Sequence, residues 1–358
     1  MKRFFNRITR PSYARPRPPA FFPSREFQRS LSTHFCTQNG AAIERAVAGL
    51  YDGARVRVEF DPGAVQHEMS CVWARSQTRG SSFIFSSFQP GRLVNTVVNR
   101  WLALWDLYAH LDRPENPGGR VVINFNDVGV EPGLTFCGNS PDSLLIPDSN
   151  FFKSRGYEKA REFFAKNPLP WDQRCASVFW RGSSLGTKGN PILEIPRARL
   201  CQIAKAARHD WLDIGLVDTV DISESDAAQL RSLDLIKERV HWTQLHKYCF
   251  HIDIDGNANS YAGLFRKLLS GGVVLKVASP DHCTQWYYHR LKPWENFVPV
   301  RSDLTDLLEV AAYCRDHDDL ARNIALRGRE LAFSMTYEKE LAGAVETVRK
   351  AFSKSTTN

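Results

Sequence analysis

Carboxylates, cations and glycine-rich turns gather at three places in this sequence, and each group follows directly on an apolar run. The first is Ile123-Asn124-Phe125-Asn126-Asp127-Val128-Gly129, which sets a carboxylate just past a strand of the buried type. An Asp in that position either closes a turn with its side chain or serves as a general base at the edge of a cleft. The second is Phe179-Trp180-Arg181-Gly182-Ser183-Ser184-Leu185-Gly186-Thr187-Lys188-Gly189. A glycine-rich turn after a strand lets the backbone approach a phosphate, with Arg181 or Lys188 to neutralise it. It is not a Walker loop, because Gly182 and Gly186 are too close and Thr187 comes before Lys188.

The third group is His251-Ile252-Asp253-Ile254-Asp255-Gly256-Asn257-Ala258-Asn259-Ser260, running into a helix. Ser260 or Asn259 suits the N-cap, which turns the free amides of that helix toward whatever lies past the strand. A diphosphate is the fitting guest there. Asp253 and Asp255 share one strand face and form an Asp-x-Asp pair able to hold a divalent cation. Asp253 equally suits a buried hydrogen-bonding role. His246, Cys249 and His251 have metal-like spacing but straddle a helix-to-strand passage, so they do not converge on one face and no metal site is expected.

The elements that must position these groups alternate along the chain. In the first half, periodicity predicts strands at 55–60, 83–86, 121–125 and 144–146, and helices at 92–111 and 157–165. Asn167-Pro168-Leu169-Pro170 then punctuates the chain. In the second half, strands are predicted at 177–180, 211–217, 248–254, 273–277 and 297–300. Helices are predicted at 197–207, 260–269, 284–289 and over most of 303–352. Strands separated by helices imply parallel sheets built from βαβ units. The expected fold class is α/β, with two Rossmann-like domains facing a central cleft. The expected divisions are a leader at 1–33, a first domain at 34–168 and a second at 169–334. A C-terminal helix at 335–358 is expected to pack back on the first domain. Ligands of such sheets bind beyond the carboxyl ends of the strands, where all three groups lie.

A chain of 358 residues, 43% hydrophobic and 24% charged, suits two ordinary domains and excludes a disordered or collagenous protein. It has no apolar run of about 18 residues. The net charge of +8 is concentrated at the start, where Lys2, Arg3, Arg7, Arg10, Arg15, Arg17, Arg25 and Arg29 face the single acid Glu26. The remaining body is close to neutral, so a duplex-binding face is not expected and no specific nucleic acid is a partner. Pro11, Pro16, Pro18, Pro19 and Pro23 disfavour a continuous helix in the leader, which also lacks the apolar stretch of a secretory signal. Phe4, Phe5, Phe21 and Phe22 among its cations suit peripheral contact of residues 1–30 with an anionic membrane. An inert leader and an organellar presequence are the alternatives. Cys36, Cys71, Cys137, Cys175, Cys201, Cys249, Cys283 and Cys314 are scattered and read as reduced core thiols.

The segments 255–276 (DGNANSYAGLFRKLLSGGVVLK) and 285–306 (QWYYHRLKPWENFVPVRSDLTD) resemble glycosyltransferase family 90, as do the shorter runs FWRGS at 179–183 and RARL at 197–200. That family includes the protein O-glucosyltransferases and bacterial enzymes of lipopolysaccharide and capsule synthesis. The likeness, to a bacterial-type member, runs over about residues 100–335. It implies a GT-B fold, a UDP-sugar donor, and inversion at the anomeric carbon with neither a cofactor nor an essential metal. Carried onto this chain, it makes Asp127 the base. Arg181, Gly182 and Ser183 fall on the donor side, and Arg197 falls on the diphosphate. Asp255, Gly256, Asn257, Ala258, Asn259 and Ser260 wrap the nucleotide, and Asp148 and Phe151 lie on the acceptor side. One departure concerns an Arg that O-glucosyltransferases carry soon after the matching Ser. Here Tyr261-Ala262-Gly263-Leu264 follows Ser260, with Arg266 and Lys267 beyond. Phe151, Trp180 and Trp286 either stack on sugar or base or belong to the core. The implied activity is transfer of glucose or xylose to a glycan or lipid-linked acceptor in lipopolysaccharide or capsule synthesis. The expected place is the cytoplasm, at the inner face of the membrane. A catalytically inactive relative that binds glycan or nucleotide is the alternative, and a carboxylate at Asp127 discriminates the two.

Overall fold

The structure is a computed structural model and describes residues 22–51, 56–78, 80–113, 115–186 and 189–355. The first half contains helices α1 (Arg25–Cys36), α2 (Gly40–Leu50), α3 (Arg92–Ala103), α4 (Trp105–Leu111), α5 (Ser149–Lys153) and α6 (Glu158–Lys166). Its strands are β1 (Val56–Phe60), β2 (Ser70–Ser76), β3 (Gly80–Phe85), β4 (Gly119–Asn124), β5 (Gly133–Thr135) and β6 (Ser143–Leu145). In the second half the strands are β7 (Cys175–Ser183), β8 (Leu212–Asp218), β9 (Tyr248–Asp253), β10 (Val273–Val277) and β11 (Val298–Val300). They are interleaved with α7 (Pro196–Ala207), α8 (Glu224–Ser232) and α9 (Ala262–Ser270), and followed by α10 (Leu307–Asp316), α11 (Asp318–Ser334) and α12 (Tyr337–Ser355).

The two halves form two sheets that flank a cleft, the α/β, GT-B-like arrangement expected. The second sheet, ordered β11-β10-β9-β7-β8, is parallel throughout. Two of its inner strands are buried on both faces: every residue of β10 is buried, and so are Cys249 to Asp253 of β9. A continuous apolar run such as Val273-Val274-Leu275 is what that environment demands. The first sheet, ordered β1-β3-β2-β4-β5-β6, departs from the all-parallel expectation. Strand β2 lies antiparallel between β3 and β4, pairing Cys71 with Phe85 on one side and with Ile123 on the other. Periodicity overlooked β2 because Ser70 and Arg75 are polar yet buried, and Arg75 spends its guanidinium on the carbonyls of Arg113, Asn116 and Pro117.

The leader is shorter than expected. Helix α1 starts at Arg25 with Ser24 as its N-cap, and it buries Leu31 and Phe35. Phe35 meets Phe85, Trp101 and Phe60 at 4.9, 5.7 and 5.8 Å between ring centroids. Residues 1–21 lie outside the described residues, and so does the part of the membrane-contact expectation that falls on them. The predicted helix at 92–111 is two, broken at Leu104 between α3 and α4. The predicted helix at 284–289 is a single 3₁₀ turn at Tyr288–Arg290. Helix α12 returns to the first sheet, where Phe352 packs 5.0 Å from Trp73 and Ser355 Oγ accepts from the Arg120 amide at 2.9 Å. The core of the first sheet also runs on into α9 through Phe265, and into the segment after β10 through Trp286 and Tyr287. The two halves are therefore packed together, and the segments that follow β4 and β9 meet where the Tyr261 hydroxyl reaches the Asp127 carbonyl. No helix among the described residues is long and apolar enough to cross a membrane. Of the cysteines, Cys175 is exposed and Cys36 half-buried, and the other six are buried and free.

Candidate active site

The second sheet changes winding direction between β7 and β9: β8 lies on one side of β7, while β9, β10 and β11 extend on the other. A crevice outside the carboxyl ends of the strands opens at such a switch point. Here it is a pocket of about 280 Å³. The turn after β9 (Asp255, Gly256, Asn257, Ala258), the loop after β10 (Ala278 to Asp281, and Cys283) and the lead-in to α7 (Asn190, Glu194, Pro196) line it.

Arg197 binds the two central strands together at this point. Its Nε donates to the Asp255 carbonyl at 3.0 Å and Nη2 to the Ile254 carbonyl at 3.3 Å. Nη1 donates to the Ser183 carbonyl at 3.2 Å and to Ser183 Oγ at 3.3 Å. Gly256 has no Cβ because one would sit 2.9 Å from Nη2. Burial lowers the Arg197 pKa from its ordinary value, against the pull of Asp253 and Asp255. The guanidinium is thus a clamp buried behind the Gly256 turn that lines the crevice. Helix α7 starts there with Pro196 in its first turn and no side-chain cap, so its N-terminal end faces the pocket without a protein acceptor from its N-cap. Pro at the start of a helix is a local signal, and it could have marked this terminus in the sequence.

The turn from 255 to 260 is held from several sides. The Gly186 amide donates to Asn257 Oδ1 at 3.0 Å, and Asn259 Nδ2 donates to Asp255 Oδ2 at 3.0 Å and to the Cys283 carbonyl at 3.2 Å. Ser260 does not cap α9. Tyr261 does, at φ +33° and with no side-chain cap bond, while the Ser260 hydroxyl donates to Asp253. Asp253 is fully buried, and Lys267 Nζ at 2.8 Å and Lys276 Nζ at 3.5 Å neutralise it. Despite burial, those two charges and the Ser260 hydroxyl hold its carboxyl well below the usual range. It is the buried hydrogen-bonding hub of the two readings, with each of its oxygens facing a lysine.

Several residues expected at the site stand elsewhere. Arg181 folds back along the sheet to Asp213, 2.7 Å away, and donates to the carbonyls of Trp180, Asp213 and Glu238. The Asp213 carboxylate on the neighbouring strand, which Lys237 also pairs at 3.1 Å, draws that guanidinium away from the strand end. Gly182 serves packing, since a Cβ there would fall 2.4 Å from the Trp180 ring. Thr187 and Lys188 lie outside the described residues. Asp148 is buried as the N-cap of α5, with Oδ1 accepting from the Asn150 and Phe151 amides and Oδ2 from the Tyr157 hydroxyl at 2.8 Å. Phe151, with no exposed surface, packs among Tyr157, Phe265 and Trp286. A capping carboxylate and an interior ring leave no free group at the surface. Trp180 and Trp286 are core as well. Of the cations after Ser260, Lys267 is spent on Asp253, and Arg266 lies over the rings of Trp242 and Tyr157 at 5.5 and 6.0 Å.

Asp127 follows β4 on the opposite side of the cleft. Its Oδ1 accepts from Arg100 Nη2 at 2.5 Å, and 44% of its side chain is exposed. Arg100 also donates to the Phe125 carbonyl at 2.5 Å, so one guanidinium fixes both the end of β4 and the carboxylate beyond it. Tyr261 closes the gap between the halves, its hydroxyl donating to the Asp127 carbonyl at 2.6 Å. Cys137 Sγ meets Asn259 Oδ1 at 3.2 Å, and Gly138 and Thr284 exchange backbone hydrogen bonds at 3.1 and 2.9 Å. Arg100 and Tyr261 were not singled out from the sequence for these roles. The available signal for Arg100 was a lone cation among Val97, Val98 and Trp101 on α3.

The model of the family described as Glycosyl transferase family 90 matches residues 146–340. Protein O-glucosyltransferase 2 of Danio rerio is 28% identical over 163 residues, covering 45% of this chain and 29% of that protein. Protein O-glucosyltransferase 3 of Homo sapiens is 33% identical over 229 residues, covering 53% and 43%. The chain spans less than half the length of these curated relatives. Among solved structures, Anabaena Alr3699/HepE in complex with UDP-glucose aligns with a TM-score of 0.36 at 13% identity, over 55% of this chain and 53% of that one. The family segment begins beyond Asp127, so that residue stands on geometry alone. It does take in the whole second sheet with its crevice, the Arg197 clamp and the turn after β9. With more than half of its length inside that match, the chain belongs to glycosyltransferase family 90.

Proposed function

We propose that the protein is an inverting glycosyltransferase that moves a sugar, glucose or xylose, from a UDP donor to an acceptor hydroxyl. One observation carries the reading. Asp127, paired with Arg100, is tied through Tyr261 to the same turn that lines the crevice of the second sheet. The donor diphosphate lies in the crevice at the uncapped end of α7, where helix amides favour an anion, with the Arg197 charge behind the Gly256 turn. The acceptor enters from the first half. Asp127 takes the hydroxyl proton as the oxygen attacks the anomeric carbon. The bond to the β-phosphate oxygen breaks on the far side, and UDP leaves toward Arg197 and the α7 amides, which stabilise its developing charge.

No step requires a metal. Asp253, the inner member of the Asp-x-Asp pair, is already neutralised by two lysines. The names of the relatives favour glucose as the first sugar to test, and a glycan or lipid-linked acceptor, as in lipopolysaccharide or capsule synthesis, follows from the resemblance. Membrane contact through the leader rests on its charge and its interspersed phenylalanines.

A thermal-shift screen of UDP-glucose, UDP-xylose and ADP-glucose tests the donor. At a hundred times Kd, a ligand of the folded state adds about 2.7 kcal/mol. Stabilisation by a UDP-sugar and not by ADP-glucose is expected, and no shift with any UDP-sugar at millimolar concentration overturns the reading.

A further inference from the structure

A second cavity, of about 660 Å³, opens between α1, α3 and α5 on the Asp127 side of the cleft. Five cations line it: Arg25, Arg29, Arg92, Arg100 and Lys153. The rest of the wall consists of amides and hydroxyls such as Asn95 and Asn150, with neither a carboxylate nor an apolar side chain. Two of the cations are committed across the cleft or to the base. Arg92 reaches Asp221 at 3.0 Å, beside the Val220 backbone that Ser184 holds, and Arg100 holds Asp127. Arg25 and Arg29 stand in no ion pair among the described residues. Lys153 is fixed by a relay of amides, donating to Asn99 Oδ1 at 2.7 Å while Asn99 donates to Gln28 Oε1 at 2.7 Å. Burial, and then the charge of Arg100, lower the Lys153 pKa against the pull of Asp148, a state that a bound anion would relieve.

We infer that this cavity seats the acceptor, and that the acceptor is an acidic saccharide whose phosphate or carboxylate lies against Arg25, Arg29 and Lys153. The inference rests on the transferase reading above. Arg100 belongs both to the cavity wall and to the Asp127 pair, so a sugar held by its acidic group presents a neighbouring hydroxyl to the base. Asn and Ser side chains suit sugar hydroxyls, and the five cations suit an acidic group beside them. Charge-assisted hydrogen bonds from guanidinium groups are the strong and specific contacts for such an anion.

The test uses the full chain and titration calorimetry with glucose 6-phosphate, glucuronate, methyl glucoside and inorganic phosphate, alongside UDP. One or both acidic sugars should bind at least about tenfold more tightly than methyl glucoside and than inorganic phosphate, a difference well above measurement error. The arms separate phosphate from carboxylate recognition. The double variant Arg25→Glu/Arg29→Glu should lose that preference, Arg25→Lys/Arg29→Lys should keep most of it, and UDP affinity should stay level in both. Both positions are exposed on α1, so the reversal leaves the core intact. Equal binding of neutral and acidic sugars, inorganic phosphate as tight as the acidic sugars, or a preference that survives charge reversal overturns the inference. A wild-type chain that prefers acidic sugars but does not bind UDP retains the anion site and refutes the transferase reading, and with it the acceptor role.

Discussion

Replacing Asp127 by Asn separates the proposed chemistry from the architecture. Asn keeps an oxygen where Oδ1 accepts from Arg100 at 2.5 Å, and it leaves the backbone carbonyl bonded to Tyr261 untouched. What it removes is a charge and the capacity to take a proton. The stability cost is small because the Asp127 side chain is 44% exposed, and pairs so open to solvent contribute about 0–1 kcal/mol. Losing a general base costs about 10²–10⁴ in rate, and the lower figure already corresponds to about 2.7 kcal/mol of barrier. The crevice that would hold UDP includes no atom of Asp127. Product formation from UDP-glucose and an acceptor should therefore fall at least about a hundredfold, with UDP affinity within a few-fold of wild type and the melting temperature within about 3 °C. Those three readouts move together only if Asp127 is structural. A variant that transfers sugar normally, or one that loses only donor affinity, refutes the assignment of the base.

Three further outcomes follow from the same geometry. Buried His251 is held down to about 3 by burial and by the charges of Lys267 and Arg174, so between its unfolded value near 6.5 and 3 only the unfolded chain takes the proton. Its contribution is complete above about pH 6.5 and drains at about 1.4 kcal/mol per pH unit as the pH falls; urea unfolding of His251→Gln should show a pH slope smaller by about one proton than wild type, and an unchanged slope contradicts this. Turnover should survive dialysis against EDTA, since Ser260, Lys267 and Lys276 occupy Asp253; complete loss rescued by Mn²⁺ or Mg²⁺ would make Asp255 a metal ligand. Deleting residues 1–21 should leave thermal unfolding unchanged and weaken sedimentation with anionic vesicles, each lost cation contributing about 1 kcal/mol at a membrane surface. Deleting 1–36 removes Phe35 from the aromatic core and should lower the melting temperature sharply, and equal vesicle binding by the shorter deletion defeats the membrane role.

Much of the second half was legible because its signals are local. The run Val273-Val274-Leu275 reads as a doubly buried strand, and 273–277 is the strand observed. The glycine and small polar residues after β9 read as a turn facing the strand ends, and Gly256 and Ala258 line the crevice. The first half was less legible. Strand β2 is a polar-looking segment whose burial depends on carbonyls some forty residues away, and α1 looked like an extension of a basic leader until its apolar face met the sheet.

Amino-acid order alone thus determined where strands end and which chemical groups stand at those ends, because strand and turn preferences act over a few residues. It placed Asp127 past one apolar strand and Arg197 beside a helix start. Only the tertiary structure decided what each group faces. Arg181 turned to Asp213, Asp148 became a helix cap and Asp253 was taken by two lysines, since a charged side chain several ångströms long goes to whichever partner the packing brings nearest. The basic cavity beside Asp127 is the extreme case: α1, α3 and α5 each contribute cations unremarkable in their own helix, and their convergence exists only once Asn99 and Lys153 meet across the fold.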